Sequence, residues 1–252
     1  MITKPISIQL YTLREETSKD FVGTLKKVAE LGYDAVEFAG FWGDLSAFEL
    51  KAILDDLHLT VSGSHVSLEM LDDNIDGVID YQKAIGSPHI ILPNLPEELK
   101  DPSNYEELTK KLNAFGEKCT AAGVTFSYHN HAFELESHEG RKGLDILLED
   151  SDPELVKAEL DVYWLRKAGE NPVDWLKKYE GRTPLIHLKD MTTDGEQFFA
   201  ELGTGGIDLA SIIQFGEQSG VEYWVVEQDQ TRKTALESAQ ISINYLKENF
   251  TK

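Results

Sequence analysis

The residues of this sequence best suited to chemistry are histidines and carboxylates at the ends of short apolar runs. In the stretch Thr125–His131, His129 and His131 share one face of an alternating pattern with Thr125 and Ser127, because residues two apart on a strand point the same way. Apolar residues form the opposite face. This arrangement indicates a strand that packs its apolar face on helices and ends in a polar site.

Three further stretches carry acidic or imidazole groups in the same arrangement. They are Val156–Asp161 with Asp161, Leu185–Lys189 with His187 and Lys189, and Tyr223–Asp229 with Glu227. We expect His129, Asp161, His187 and Glu227 to converge on one divalent metal ion. Two imidazoles and two carboxylates suit manganese, our first expectation, and also zinc, cobalt or iron, better than calcium.

The elements that must position these groups form a regular alternation of strands and helices, repeating roughly every 30 residues. The predicted strands are 5–11, 35–38, 59–65, 89–93, 124–131, 156–161, 185–189 and 223–227. The predicted helices are 21–31, 46–57, 74–85, 105–122, 144–148, 172–179, 209–218 and 234–248.

Eight such units predict an α/β fold with a parallel sheet closed into a (β/α)8 TIM barrel, as a single domain over residues 1–252. An open, doubly wound sheet is the competing architecture. The polar rows that face inward, and the absence of a GxGxxG motif after the first strand, favour the barrel. Barrel sites lie at the carboxyl ends of the strands, where all four proposed ligands stand.

A different interpretation of the same residues is structural. On this interpretation Asp161 and Glu227 only form ion pairs with Lys157 or Lys189 inside the barrel mouth and bind no metal. Buried ion pairs of this kind offset little more than their own desolvation. The position of four such groups at four consecutive strand ends favours a metal site over this alternative.

Composition limits the class of protein and its partners. The 252 residues are 41% hydrophobic and 10% aromatic, enough for a substantial core. The formal charge of -21, from 24 basic and 45 acidic residues, argues against nucleic acid as a partner. With Cys119 as the only cysteine and no signal peptide or membrane-spanning run, we expect a cytoplasmic protein without a membrane partner.

Four short motifs, in this order, resemble the xylose isomerase-like sugar isomerase/epimerase superfamily. They are Leu160–Asp161, Ile186–Asp190, Leu202–Asp208 and Val226–Asp229. The resemblance follows the whole chain and implies a metal-dependent barrel in which Glu, Asp, His and Glu of the last four strands bind the ion. It therefore assigns Asp161, His187 and Glu227 to three of those roles.

The fifth strand departs from the usual pattern of this superfamily. The first glutamate is matched by His129, within the segment Tyr128–Glu134, and this variant resembles a subgroup of the superfamily. Glu134 is an alternative fourth ligand. In many epimerases of the superfamily both metal-bound glutamates exchange protons with the sugar, so His129 weakens the case for two-sided epimerisation.

The expected chemistry is proton abstraction next to a carbonyl, which gives an enediolate that a divalent ion stabilises. Glu227 is the candidate base on one side of the substrate, and His131 or Glu134 on the other. Lys189 is placed to hydrogen-bond the developing oxyanion. Charge balance for Asp161 or Glu227 is an equal alternative for this lysine.

Three further residues are candidates for binding the substrate. Glu37 and His65 end the second and third strands on the polar side and could bind sugar hydroxyls, whereas Trp164 could stack on a sugar ring or belong to the core. Aromatic residues in the loops at the mouth are also compatible with a homodimer.

The leading functional prediction is a metal-dependent isomerase or epimerase of a sugar or keto-polyol. The first alternative is a lyase or dehydratase of an inosose or a 3-keto-glycoside, activities that the resemblance also implies. The second is a barrel that binds sugars without catalysis. Endonuclease IV shares the resemblance, but a charge of -21 and few additional metal ligands argue against it.

Overall fold

Eight parallel strands close into a barrel in this computed structural model, which describes residues 1–251. The strands are β1 (Ile6–Gln9), β2 (Ala35–Ala39), β3 (Thr60–His65), β4 (His89–Leu92), β5 (Thr125–His129), β6 (Val156–Asp161), β7 (Leu185–Leu188) and β8 (Tyr223–Val226). Around the barrel they follow the order β1, β8, β7, β6, β5, β4, β3, β2. The predicted TIM barrel is confirmed.

Residues 1–251 contain ten α-helices. Most of them connect consecutive barrel strands and pack on the outside of the barrel. They are α1 (Arg14–Lys19), α2 (Phe21–Leu31), α3 (Ala47–Asp56), α4 (Leu68–Ile85), α5 (Tyr105–Ala121), α6 (Gly143–Glu149), α7 (Val162–Lys167), α8 (Pro172–Lys178), α9 (Leu209–Gly216) and α10 (Ala235–Phe250). In the part of the chain that the structure describes, no helix is both long and apolar enough to cross a membrane.

The helices begin where local side chains can satisfy their first backbone N–H groups. Ser46 and Thr234 form capping boxes with Glu49 and Glu237, which fix the starts of α3 and α10. The predicted start of α4 at Asn74 is wrong. This helix begins at Leu68, and Asn74 is instead a non-helical break inside it.

Two connections that were predicted as loops contain short antiparallel strand pairs. Asp190–Met191 pairs with Phe199–Ala200 after β7, and Ser137–His138 pairs with Arg141–Lys142 after β5. The Asp190 carboxylate accepts hydrogen bonds from the backbone N–H groups of Gly203, Gly205 and Ile207, each at 3.0 Å. This carboxylate therefore fixes the glycine-rich loop beside the barrel mouth.

The main core lies between the barrel and its helices, and the lumen is largely polar. Phe126 and Tyr128 of β5 are fully buried in the outer core, whereas Ser7 and Ser62 meet inside the barrel with their hydroxyls 2.7 Å apart. The predicted inversion, apolar outside and polar inside, is observed. It leaves the upper lumen free for ionisable side chains.

A register shift between β2 and β3 lies beside one of these side chains, Glu37, with Ser62 of β3 as the extra residue. The pairing of β2 with β3 shifts between Val36 and Glu37, opposite Gly63. A Cβ atom at Gly63 would press on Ile91 and approach the Glu37 carboxylate. A glycine at this position leaves room for Ile91 and for the buried carboxylate beside it.

Candidate active site

The four predicted metal ligands all lie at the carboxyl ends of β5 to β8 and are nearly inaccessible to solvent. Their exposed fractions are 2% for His129, 0% for Asp161 and His187, and 6% for Glu227. A cavity of about 420 Å³ opens above them, and its walls include His65, His131 and Lys189. The structure thus brings side chains from distant parts of the chain to one end of the barrel.

Asp161 shows how local structure orients one of these ligands. It ends β6 and also caps α7, because its Oδ1 accepts the backbone N–H groups of Tyr163 and Trp164 at 2.9 and 3.0 Å. Its own N–H donates to the side-chain oxygen of Asn130 at 3.0 Å. Only Oδ2 then remains for the lumen.

One group of candidate ligands, the carboxylate-rich set, consists of Asp161, His187 and Glu227, with one ligand atom from each within 4.8 Å of the others. The Lys189 ammonium lies in this set, 2.9 Å from Asp161 Oδ2 and 2.6 Å from both Glu227 Oε2 and Asp229 Oδ1. The ion pairing considered for Lys189 is therefore present. Lys157 instead donates to the Pro153 carbonyl.

A second group, the histidine-rich set, consists of His65, His129, Glu159 and His187, again within 4.8 Å of one another. Glu159 Oε2 lies 2.8 Å from His65 Nε2, 3.1 Å from His129 Nδ1 and 3.2 Å from His187 Nε2. Three imidazoles from three strands therefore converge on one carboxylate oxygen.

The two sets share His187 and divide the four predicted ligands between them. His187 directs Nδ1 to Glu227 at 2.9 Å and Nε2 to Glu37 at 2.7 Å. His129 falls in the histidine-rich set, and its Nε2 lies 3.8 Å from Asp161 Oδ2. The four predicted ligands thus lie in two adjoining groups, and their binding of one common ion stays a prediction.

The residues predicted to bind substrate are only partly exposed to the cavity. His65 lines it, but Glu37 is fully buried, accepts from Gln9 at 2.8 Å and lies 3.1 Å from His65 Nε2. Glu37 therefore supports the imidazoles from below. Trp164 lies at the mouth, with the Lys189 ammonium 5.7 Å from its ring centroid.

The two candidates for the second proton carrier lie in different environments. The His131 ring lines the cavity and lies 5.1 Å from the His129 ring, measured between centroids. Glu134 is fully buried, and its carboxylate accepts from the Tyr128 hydroxyl and the His131 backbone N–H, each at 2.8 Å. Both ligand sets form without Glu134, so its proposed part in proton transfer or metal binding stays a prediction.

Two residues of the site were not singled out from the sequence. Glu159 lies two positions before Asp161 and Asp229 two positions after Glu227, each on the same polar face. The signal was present in the alternation of polar residues along these strands. The prediction took one metal ligand per strand, at or near the strand end, and so omitted both carboxylates.

Burial and neighbouring charges act against each other in the histidine-rich set. Burial alone would lower the pKa of His65, but the carboxylates of Glu159 and Glu37 raise it to about 9. These carboxylates, together with Glu227, also raise the pKa of His187 well above its usual value, against the effect of burial. The negative charge of the lumen therefore favours positive charge around Glu159.

In the carboxylate-rich set, burial and the neighbouring carboxylates have opposite effects on Lys189, and the carboxylates keep it as an ammonium. Burial would lower the pKa of Lys189, yet Asp161, Glu227 and Asp229 raise it well above its usual value. Burial and then Glu227 raise the pKa of Asp229 to about 6. Burial and then the Lys189 charge lower the pKa of His131 to about 3, so this imidazole is neutral at neutral pH.

The donor set fits a divalent cation. Four buried carboxylates, Glu37, Glu159, Asp161 and Glu227, and the partly exposed Asp229 outnumber the Lys189 ammonium and the two imidazoles with raised pKa. The excess of buried negative charge is one that a cation would balance. Glu37 Oε2 and Glu159 Oε1 have no hydrogen-bond partner among residues 1–251. Mixed imidazole and carboxylate donors of this kind suit a transition-metal ion.

Proteins with related sequences include enzymes named inosose dehydratase. The chain is 28% identical over 163 residues to the one from Clostridium tetani, a match that covers 57% of this chain and 54% of that protein. It is 29% identical over 202 residues to the one from Clostridium botulinum strain Alaska E43, with 67% of each chain covered. The match to the C. tetani protein thus spans about half of that relative's length.

Solved structures show the same fold over nearly the whole chain. A sugar phosphate isomerase/epimerase from Parabacteroides distasonis superimposes with a TM-score of 0.84 at 24% identity, covering 99% of this chain and 100% of that one. A probable 3-DHS dehydratase from Bacillus anthracis gives a TM-score of 0.78 at 13% identity, covering 97% and 99%. Residues 25–249 match the family model described as xylose isomerase-like TIM barrel. On that match, which includes seven of the eight barrel strands, the chain belongs to the xylose isomerase-like TIM barrel family.

Proposed function

We propose that this protein is a metal-dependent lyase that eliminates water from a polyhydroxy ketone of the inosose class. The observation that carries the proposal is the position of Lys189, whose ammonium lies at the cavity wall within 2.9 Å of three carboxylates. A proton donor and several proton acceptors thus adjoin one cavity. Elimination next to a carbonyl requires both.

The chemistry follows from the charges of these groups. Glu227 accepts the proton from the carbon next to the substrate carbonyl, and Lys189 donates a proton to the hydroxyl that leaves from the β carbon. The C–O bond breaks as the C=C bond forms, and the products are water and an unsaturated ketone or its tautomer. A divalent ion bound among the lumen carboxylates and imidazoles would polarise the carbonyl oxygen and stabilise the negative charge that develops on it.

Other groups in the cavity have parts in holding the substrate. His131 is neutral and lines the cavity, so it can accept a hydrogen bond from a substrate hydroxyl. Tyr11 lines the cavity, where an aromatic face can pack on the apolar face of a sugar-like ring, and Trp164 packs against the His131 ring with the centroids 5.3 Å apart.

Two observations favour elimination over the epimerisation that was the leading prediction. The β5 position of the usual first glutamate holds His129, and Glu134 is engaged by Tyr128 and the His131 backbone, so the site is not built as two opposed carboxylates. The related sequences bear the name inosose dehydratase. Each relative is less than 30% identical, so the substrate is part of the proposal.

The test is incubation of the metal-reconstituted protein with an inosose in D₂O, followed by NMR and mass spectrometry. Loss of water together with deuterium uptake next to the carbonyl is the expected result. Deuterium uptake with epimer formation and no loss of water would support the isomerase instead. If the substrate neither loses water nor takes up deuterium, the result would support a barrel that only binds sugars.

Controls separate catalysis from folding. Glu227→Gln and Lys189→Met should each lower the turnover number by at least about 100-fold, the range expected for loss of one acid–base group. Phe48→Ala, at a side chain that is 84% exposed, should leave turnover unchanged. A Glu227→Gln protein with full dehydratase activity would contradict the proposal.

A further inference from the structure

We propose that Asn130 is a positioning residue for the metal site, because its side chain holds the end of β6 where Asp161 presents its carboxylate. The inference rests on the proposed function for the presence of a divalent ion with Asp161 among its ligands. The role of Asn130 rests on separate observations, which are its burial, its hydrogen bond and the strand pairing beside it.

Asn130 lies between two histidines that face the cavity, but its own side chain does not. His129 and His131 both line the cavity, whereas Asn130 does not line it and is fully buried. This is the alternation of an extended segment, in which every second side chain points the same way. Any part of Asn130 in the chemistry must therefore be exerted through a neighbouring residue.

That neighbour is Asp161, whose backbone N–H donates to Asn130 Oδ1 at 3.0 Å. A backbone N–H is only a donor, so the carboxamide must turn its oxygen toward it. The pairing of β5 with β6 ends with His129 opposite Glu159, two residues before Asp161. The Asn130 side chain therefore supplies an acceptor where the backbone pairing of these two strands has ended.

This hydrogen bond fixes Asp161 from a second side. Its Oδ1 accepts the backbone N–H groups of Tyr163 and Trp164 at 2.9 and 3.0 Å, which holds the carboxylate at the start of α7. Its Oδ2 is left toward the lumen, 3.8 Å from His129 Nε2. Loss of the Asn130 acceptor would free the main chain that directs Oδ2, because a buried N–H would then seek another partner.

The segment that carries Asn130 is itself held at both ends. The barrel pairing runs up to His129 before it, and the His131 N–H donates to Glu134 at 2.8 Å after it. Because Asn130 directly follows His129, one side chain fixes the spacing between two strand ends that carry predicted ligands. Removal of such an outer contact of a metal ligand typically weakens metal binding by about 10–100-fold.

The test is a double-mutant cycle of Zn²⁺ affinity, measured without substrate by competition with a chromophoric chelator. The variants are Asn130→Ala, Asp161→Asn and the two combined, and Asp161→Asn keeps an oxygen that can cap α7. Asn130→Asp is the conservative variant, because it keeps an acceptor for the Asp161 N–H. Circular dichroism and thermal unfolding establish that each variant is folded.

Ser242→Ala is the matched control for the loss of one buried acceptor. The Ser242 Oγ is buried on α10 and accepts the Leu202 N–H at 3.1 Å, a contact between residues 40 apart along the chain. This substitution should lower thermal stability as Asn130→Ala does. Its zinc affinity should stay within about threefold of the wild type, because it contacts no proposed ligand.

We expect Asn130→Ala to weaken zinc binding by about 10–100-fold in the wild type, but by less than about threefold once Asp161→Asn has altered the ligand. Asn130→Asp should stay within about 10-fold of the wild type. Unchanged zinc affinity in a folded but less stable Asn130→Ala protein would overturn the proposal. Equal losses in both backgrounds, or in Asn130→Ala and Asn130→Asp, would also overturn it.

If Asn130→Ala does not fold, Asn130→Ser takes its place in the cycle, because its shorter side chain still leaves a gap to the Asp161 N–H. Failure of both variants to fold would assign Asn130 to the fold alone and overturn the proposal. A protein that binds zinc as expected but leaves an inosose unchanged would refute only the proposed activity. An active dehydratase whose zinc affinity is independent of Asn130 would refute only this inference, whereas a wild type without affinity for Zn²⁺ would overturn both.

Discussion

The Lys189→Met substitution is the most informative single perturbation of this barrel. It removes the ammonium and keeps a side chain of similar length in a position that is 1% exposed. Asp161, Glu227 and Asp229, which lie 2.6 to 2.9 Å from the ammonium, would then face one another without their shared counterion. We expect a loss of both stability and turnover.

The size of the stability loss follows from the burial of the three carboxylates. Removing one partner of a buried ion pair typically destabilises a protein by about 3–5 kcal/mol, because the remaining charge stays desolvated. In a chain of this length each kcal/mol lowers the midpoint of thermal unfolding by roughly 2–4 °C. The expected fall in the unfolding midpoint is therefore about 6–20 °C near neutral pH.

Calorimetry of the metal-free protein measures this effect, and Lys111→Met provides the matched control. Lys111 pairs with Asp72 at 2.8 Å, but both side chains are more than 40% exposed, so the same substitution there should change stability by no more than about 1 kcal/mol. Equal midpoints for Lys189→Met and Lys111→Met, or full dehydratase turnover in Lys189→Met, would refute the assigned role of Lys189.

Three further predictions concern the supports of the site. Asp190→Ala should destabilise the fold by at least about 2 kcal/mol in denaturant titrations, because backbone N–H groups of the glycine-rich loop lose their acceptor; a change within error would contradict this role. Glu134→Gln should lower the free energy of unfolding by about 1–3 kcal/mol, because its contact with Tyr128 is weakened, but keep dehydratase turnover within several-fold of the wild type. Abolished turnover in a folded variant would instead favour a catalytic Glu134. Ser46→Ala should cost about 1 kcal/mol by removing the cap of α3 and leave zinc affinity unchanged; reduced zinc affinity would show that the mouth is more strongly coupled to this helix than its position implies.

Much of the fold follows from the local sequence pattern. The alternation of polar and apolar residues placed all eight strands, since a lumen with ionisable side chains inverts the usual pattern on each strand. The first turns of α4 were missed because Asn74 interrupts the helical periodicity that begins after Ser67. The short strand pair at Asp190–Met191 depends on contacts with Phe199–Ala200 across a loop, which a local pattern does not contain.

The site was only partly predictable for a similar reason. The order of strands brought His129, Asp161, His187 and Glu227 to one end of the barrel, and the structure places them there. Which carboxylate faces which imidazole depends on the register between neighbouring strands. The register pairs Glu159 with His129 and Asp161 with His187, and this offset divides the ligands into two sets.

The most direct test of the account is anomalous X-ray diffraction from crystals of the protein grown with Zn²⁺ or Co²⁺, with data recorded on both sides of the metal's absorption edge. The account predicts one strong peak in the upper lumen, among the carboxylates and imidazoles at the carboxyl ends of β5 to β8. A peak elsewhere on the barrel, or an upper lumen without a peak in a protein that dehydrates an inosose, would contradict it.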